Sequence, residues 1–186
     1  EKLETAKKVK VKCGQILRYA VSIGLCERDV TQDLRGALKT PKVTHMAALV
    51  EPKDFAQLLQ DIDHYQGSAI TRYALRIAPL VFVRPGELRH AQWKDIDLEQ
   101  GLWSYTPPKT KAKTGVQHMV PLSTQVIHLM SELAQITRYK SEFVFPATTS
   151  NLKPMSENTI NQALRRLGYT SEQACGHGFR ASARTI

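Results

Sequence analysis

Two short segments of the sequence contain residue types that suit chemistry on a phosphate group. The first reads Arg84-Pro85-Gly86-Glu87-Leu88, and the second reads Gly176-His177-Gly178-Phe179-Arg180. The guanidinium of arginine stays charged and donates two parallel hydrogen bonds, so it suits the non-bridging oxygens of a phosphodiester in its pentacoordinate state. If folding brings the two segments together, they predict a site for phosphoryl transfer.

The surroundings of each segment limit this interpretation. Arg84 stands where an apolar run, 80–83, gives way to a turn, and with Glu87 alone it would indicate an ordinary ion pair at a helix end. His177 and Arg180 are three positions apart, so a helix starting near them places both side chains on one face. The pattern His-x-x-Arg often occurs by chance, and an ordinary His177 would start a helix and bond to the backbone.

A third segment, Trp93-Lys94-Asp95-Ile96-Asp97, favours the functional interpretation. With it, the sequence resembles the tyrosine recombinases, the phage-integrase family, which cut and rejoin DNA through a phosphotyrosine. Residues 181–185 resemble the branch carried by prophages and genomic islands. The resemblance implies that Arg84 is the first catalytic arginine and that Glu87 orients nearby groups. It assigns Arg180 to the phosphate and His177 to hydrogen bonding and proton transfer there.

The same family has its catalytic lysine in a hairpin before a Val-Pro-Leu strand. Here Lys109, Lys111 and Lys113 precede Val120-Pro121-Leu122. A lysine suits protonation of the leaving sugar oxygen because burial or neighbouring cations lower its pKa. Counting back from the strand, the resemblance assigns this role to Lys113, with Lys111 as the alternative because turn length varies. Lys109 and Lys111 are expected to bind DNA, although such a turn is usually only solvated.

The tyrosines do not complete the family's pattern. All of them precede His177: Tyr19, Tyr65, Tyr73, Tyr105, Tyr139 and Tyr169. None is expected to be the nucleophile, and Tyr169 matches a packing position at a helix end. The resemblance therefore implies a truncated recombinase, inactive for cleavage by itself. It implies no metal and no nucleotide cofactor, because the arginines stabilise charge and the bond energy stays in the covalent intermediate.

The charge of the chain favours a polyanionic partner. The net charge is +9 over 186 residues, and residues 1–50 hold ten Lys and Arg against five Asp and Glu. A basic surface without such a partner explains the charge on its own about equally well. The first helix contains the residues predicted to contact DNA: Lys7, Lys8, Lys12 and Arg18.

The hydrophobic pattern predicts a mainly α protein with a small antiparallel β-sheet, an α+β fold. The predicted helices cover residues 5–23 with Gly24 as the cap, 51–62, 68–83 with Ser68 as the N-cap and an interruption at Pro79, 123–133, and 156–167 with Ser156 as the N-cap. Residues 31–38 form a short amphipathic piece. The strand-like runs are 93–96, 102–106 and 117–122. By resemblance, residues 1–40 are the last helices of a core-binding domain, 41–50 a linker, and 51–186 a catalytic domain truncated after His-x-x-Arg.

The remaining features set the expected context. The cysteines, Cys13, Cys26 and Cys175, have no metal-ligand spacing, and no apolar run reaches the ~18 residues of a membrane span. We therefore expect a bacterial cytoplasmic protein at the nucleoid. The full-length protein would integrate or excise DNA at double-stranded attachment sites as a homotetramer. Two alternatives stay open: a type IB topoisomerase-like enzyme, and a DNA-binding module without catalysis.

Overall fold

The computed structural model describes residues 2–40, 46–107 and 115–186. The chain divides into two compact units, residues 1–45 and 46–186. Both contain helices, and the second also contains small antiparallel sheets, so the predicted fold class is confirmed. Among the described residues, no helix is both long and apolar enough to cross a membrane.

The first unit consists of helix α1, Leu3–Ser22, and a 3-10 turn, Val30–Leu34. Gly24, which follows the helix, has a φ of 74°, a left-handed conformation that suits glycine and ends the helix as predicted. Of the amphipathic piece predicted at 31–38, residues 31–34 belong to this 3-10 turn. It begins where the side chain of Asp29 accepts a hydrogen bond from the backbone N–H of Thr31, at 3.0 Å.

The described helices of the second unit are α2 Pro52–Asp63, α3 Ala69–Val81, α4 Pro85–Arg89, α5 Thr124–Thr137, α6 Thr159–Arg166 and α7 Gly178–Thr185. The hydroxyl of Ser68 accepts from the N–H of Thr71 at 3.3 Å and caps α3, as predicted. Pro79 lies inside α3 without interrupting it. The prediction of Ser156 as an N-cap is wrong: strand residues extend to position 154, and the cap of α6 is Asn158.

Three strands form the larger sheet: β1 Ile96–Asp97, β2 Leu102–Tyr105 and β3 His118–Pro121, in the order β1-β2-β3. A separate hairpin pairs β4, Pro146–Ala147, with β5, Ser150–Pro154. The predicted strand 93–96 is largely a 3-10 turn, Trp93–Asp95. The reason is tertiary: the Trp93 indole N–H donates to the Thr137 hydroxyl of α5, at 3.2 Å, and its backbone N–H donates to the carbonyl of Glu142.

Helix α3 lies at the centre of the second unit, in contact with α2, α4, α5, α6 and α7. Its apolar face is fully buried at Leu75 and Ile77, and α5 contributes Met130 and Leu133 to the same core. Val81 and Val83 are also buried. The chain therefore leaves the core immediately before Arg84, so that the backbone of this residue is anchored.

Candidate active site

The two sequence motifs, one at the start of α4 and the other at the start of α7, lie together in the second unit. A Cβ atom placed on Gly176 would lie 3.4 Å from Cγ of Pro85. A cavity of about 310 Å³ is lined by Pro85 and Gly86 from the first motif and by Gly176 and His177 from the second. The fold therefore places the beginnings of these two helices side by side.

Arg84 and Glu87 form an ion pair at the start of α4, joined by two hydrogen bonds. The guanidinium Nη1 donates to Oε1 of Glu87 at 2.7 Å, and the backbone N–H of Arg84 donates to Oε2 at 3.0 Å. The Arg84 side chain is 58% exposed, whereas that of Glu87 is only 9% exposed. The ordinary ion pair is thus present, and it still leaves most of the guanidinium open to an anion from solvent.

Tyr105 of β2 completes the surroundings of Glu87. Its hydroxyl donates to Oε2 of Glu87 at 3.0 Å. The ring stacks on Trp103 with a centroid distance of 4.7 Å and meets the edge of the His118 ring at 5.4 Å. Sequence reasoning missed Tyr105, because strand periodicity gives the face of a residue but not its partner in a helix.

The electrostatics of this cluster follow from its burial and its hydrogen bonds. Burial alone would raise the pKa of Glu87, but the hydrogen bonds from Arg84 and Tyr105 outweigh it, so the pKa of this carboxyl lies below its ordinary value. Burial, and then the bond to Glu87, raise the pKa of Tyr105 well above its usual range. The positive charges of Arg84 and Arg180 both oppose that rise.

His177 and Arg180 are exposed at the first turn of α7. Both line a second cavity of about 780 Å³, to which Phe82 also contributes. Phe179 and Ser182 of the same helix are buried. The helix therefore presents its motif side chains to the cavity, while other positions hold it to the core.

The backbone around the start of α7 is fixed by contacts that the sequence did not indicate. The side-chain oxygen of Asn161 accepts from the N–H of Gly176 at 2.9 Å. Arg165 donates to the carbonyls of Tyr169 and Ala174 in the preceding loop. A Cβ atom on Gly178 would lie 2.2 Å from the carbonyl oxygen of Ala47. A glycine is therefore required where residue 47 crosses the helix start.

Phe82 has an unusual backbone conformation. Its φ is 51°, and it is the one non-glycine residue with a positive φ among those the structure describes. A bulky side chain in this left-handed region costs about 1–2 kcal/mol. Since the side chain is 48% exposed, packing gives little compensation. The strain lies two residues before Arg84.

The structure describes the predicted lysines of α1 but not those of the turn before β3. Lys109, Lys111 and Lys113 lie outside the described residues, in the part of the sequence that connects β2 to β3. On α1, Lys7, Lys8 and Lys12 are exposed.

Some of the basic side chains on α1 already have partners within the first unit. Arg18 donates to Asp29 at 2.8 Å, and Lys8 lies 3.5 Å from Glu4. Lys12 donates to the side chain of Gln15 at 3.2 Å. Lys7 is therefore the clearest of the four for a DNA-binding test.

Tyr169 has a structural partner. Its hydroxyl donates to Asp61 of α2, and burial together with this carboxylate raises its pKa well above the usual range. Its ring also packs against the core. Within the described parts of the chain, no three or more His, Cys, Asp or Glu side chains are grouped so that they could hold a metal ion.

Comparison with known proteins identifies the family. A model described as the phage integrase family matches residues 49–186, and one described as the phage integrase central domain matches residues 1–37. The chain is 38% identical to the IntB protein of Escherichia coli K12 over 194 residues, covering 98% of this chain and 48% of the relative. It is also 38% identical to the integrase of enterobacteria phage P4 over 195 residues, covering 98% and 44%. The chain thus spans about half the length of these curated relatives.

Solved structures show the same fold. A lambda integrase tetramer bound to a Holliday junction superposes with a TM-score of 0.66 at 18% identity, covering 98% of this chain and 53% of the other. The Tn1549 transposon integrase in complex with a circular intermediate DNA gives a TM-score of 0.74 at 13% identity, covering 96% and 65%. Because the family model also matches most of its residues, the chain belongs to the phage integrase family, the tyrosine recombinases.

Proposed function

We propose that this chain forms part of an enzyme that recombines DNA at specific sites through a 3′-phosphotyrosine intermediate. The observation that supports the proposal is that the two motif segments meet in the second unit, with Gly176 beside Pro85, and that Arg84, His177 and Arg180 of these segments are all exposed. Charged donors fixed before the reaction stabilise the developing charge of a pentacoordinate phosphate without reorganisation. The integrases among the relatives support the same class of reaction.

Each side chain has a distinct role in this proposal. Arg84 and Arg180 bind the two non-bridging oxygens, and Glu87 holds Arg84 in place. His177 donates a hydrogen bond to the phosphate and takes part in proton transfer. Lys113 protonates the leaving 5′-oxygen, with Lys111 as the alternative. The proposal assigns the role of nucleophile to none of the six tyrosines of this sequence.

The partner in this proposal is double-stranded DNA containing an attachment site. The first unit acts as the end of a core-binding domain, and the second acts as the catalytic domain. Exposed cations on α1, above all Lys7, contact phosphates and add a salt-dependent term to affinity. The lambda integrase tetramer on a Holliday junction supports a homotetramer for the full-length enzyme.

Alanine substitutions in the full-length protein test the phosphate site. Arg84→Ala and Arg180→Ala should each slow cleavage of a nicked attachment-site substrate by at least ~100-fold, since each removes a charged donor at a developing oxyanion. DNA affinity in a gel-shift assay should change little. Arg76→Ala is the matched control, because Arg76 of α3 also pairs with an acidic side chain, Asp63 at 2.8 Å, and belongs to neither motif.

Two outcomes would contradict the proposal. Near-normal cleavage by either motif variant would show that the phosphate binds elsewhere. Relaxation of supercoiled plasmid lacking attachment sites, without any recombination, would instead indicate a topoisomerase-like activity.

A further inference from the structure

We propose that Tyr105 is a positioning residue, which orients the phosphate-binding guanidinium of Arg84 by holding Glu87 in place. The inference rests on the proposed function of Arg84 and adds a residue outside both sequence motifs. Tyr105 belongs to strand β2 and Glu87 to helix α4, 18 positions apart in the sequence, and the tyrosine hydroxyl donates to the carboxylate at 3.0 Å.

The hydrogen bonds around Glu87 show why the tyrosine matters. Oε1 of Glu87 accepts from the guanidinium of Arg84, while Oε2 accepts from the backbone N–H of Arg84 and from the hydroxyl of Tyr105. Among the residues that the structure describes, two of the three donors to Glu87 therefore belong to Arg84 itself. Tyr105 is the donor that ties the carboxylate to another element of the fold.

Arg84 cannot be oriented by its own ion pair alone, so a contact from another element of the fold is needed. Its side chain is 58% exposed, and an exposed ion pair by itself restricts a long side chain only weakly. Glu87, in contrast, is nearly buried, so the orientation of its carboxylate is set by the protein. Fixing the carboxylate plane fixes the direction in which Arg84 presents its remaining N–H groups.

Tyr105 can hold the carboxylate of Glu87 because its own ring is fixed by strand pairing and packing. Its strand β2 is the central strand of the sheet, and Tyr105 itself pairs with His118 of β3. The ring stacks on Trp103, which is 1% exposed, and it also forms an edge-on pair with the ring of His118. The hydroxyl is therefore held by the buried part of the sheet.

The protonation states agree with this arrangement. Among the described residues, the charged and titratable groups near the pair are Arg84 on α4, His118 on β3 and Arg180 on α7. Burial and the neighbouring carboxylate raise the pKa of Tyr105, so that it remains a donor at neutral pH. The hydrogen bonds lower the pKa of Glu87, so that it remains an acceptor.

The test is Tyr105→Phe in the full-length enzyme, which removes the hydroxyl and keeps the ring stack. We expect cleavage of a nicked attachment-site substrate to slow by roughly tenfold, the effect of losing one hydrogen bond to a charged group. DNA affinity should be unchanged. Tyr73→Phe is the matched control, because its hydroxyl also donates to a glutamate, Glu132 at 3.1 Å, and Tyr73 belongs to neither motif.

A pH profile separates positioning from general structural support. Without the tyrosine donor, the pKa of Glu87 rises, and the ion pair with Arg84 is lost at a higher pH when the solution is acidified. The acid limb of the cleavage rate should therefore move to higher pH in Tyr105→Phe and stay in place in Tyr73→Phe. In an Arg84→Ala background, Tyr105→Phe should cause no further loss, because its effect passes through Arg84.

The results distinguish failure of this inference from failure of the proposed function. If Arg84→Ala cleaves normally, the proposed role of Arg84 is wrong and Tyr105 has nothing to position. If Arg84→Ala is inactive while Tyr105→Phe keeps the wild-type rate and acid limb, only the role of Tyr105 is refuted. A slower Tyr105→Phe enzyme with an unshifted acid limb, or with an additional loss in the Arg84→Ala background, would also refute it.

Discussion

Replacing Gly178 by alanine gives a direct test of how the second motif is held. A Cβ atom at this position would lie 2.2 Å from the carbonyl oxygen of Ala47 and 3.1 Å from Cα of Ala48. Both are backbone atoms, so neither can rotate away as a side chain would. Ordinary contacts begin near 3.4 Å, so segment 47–48 and the start of α7 must separate by about 1 Å.

The expected cost follows from this displacement. Overpacking of this kind typically destabilises a protein by about 1–3 kcal/mol. For a unit of this size, 1 kcal/mol corresponds to roughly 3 °C in Tm, so Gly178→Ala should melt about 3–10 °C below the wild-type chain. Thermal unfolding followed by circular dichroism measures this effect on the 186-residue chain without any DNA.

Gly86→Ala provides the matched control at the start of the other motif helix. A Cβ atom on Gly86 would meet nothing within 4 Å. Alanine is a better helix former than glycine, so this variant should melt at or slightly above the wild-type temperature. If Gly178→Ala melts within 1 °C of the wild type, the close crossing of residue 47 over α7 is not present in solution, and the proposed support of His177 and Arg180 fails.

Three further predictions concern other parts of the chain. At position 82, Gly should be more stable than Ala by about 1 kcal/mol in denaturant unfolding, because only glycine relieves the left-handed strain; equal stability would contradict the positive φ. In the full-length enzyme, Lys113→Ala should recover most of its cleavage rate on a 5′-thio substrate, because a thiolate with a conjugate-acid pKa of roughly 8–9 leaves without a proton donor. If the 5′-thio substrate rescues Lys111→Ala but not Lys113→Ala, Lys111 is the proton donor. The 186-residue chain should bind duplex DNA with a steep salt dependence, and Lys7→Ala should lower the slope of log K against log salt by about 0.9. Lys10→Ala is the control, because Lys10 already donates to the carbonyl of Leu34 at 2.7 Å; an unchanged slope in Lys7→Ala would exclude Lys7 from the interface.

The sequence alone determined the fold class and several of the element boundaries, because these depend on local signals. The caps at Ser68 and Gly24 act through hydrogen bonds or dihedral angles within a few residues, and both were predicted. The residues of the two motifs were predicted from their resemblance to the tyrosine recombinases, and these residue types suit the chemistry of phosphate. The identity of the general-acid lysine is still a prediction, since Lys111 and Lys113 lie outside the described residues.

The tertiary structure decided the features that depend on distant partners. The sequence pattern predicts that Trp93 is part of a strand. In the structure its indole N–H donates to Thr137, and the backbone forms a 3-10 turn. The sequence pattern predicts only that Tyr105 lies in a strand. Its hydrogen bond to Glu87 depends on how β2 lies against α4. Periodicity specifies which face of an element is buried, whereas the identity of the facing side chain depends on how separate elements pack. For that reason the candidate arginines could be predicted from the sequence, whereas the partners of Arg84 became visible only in the fold.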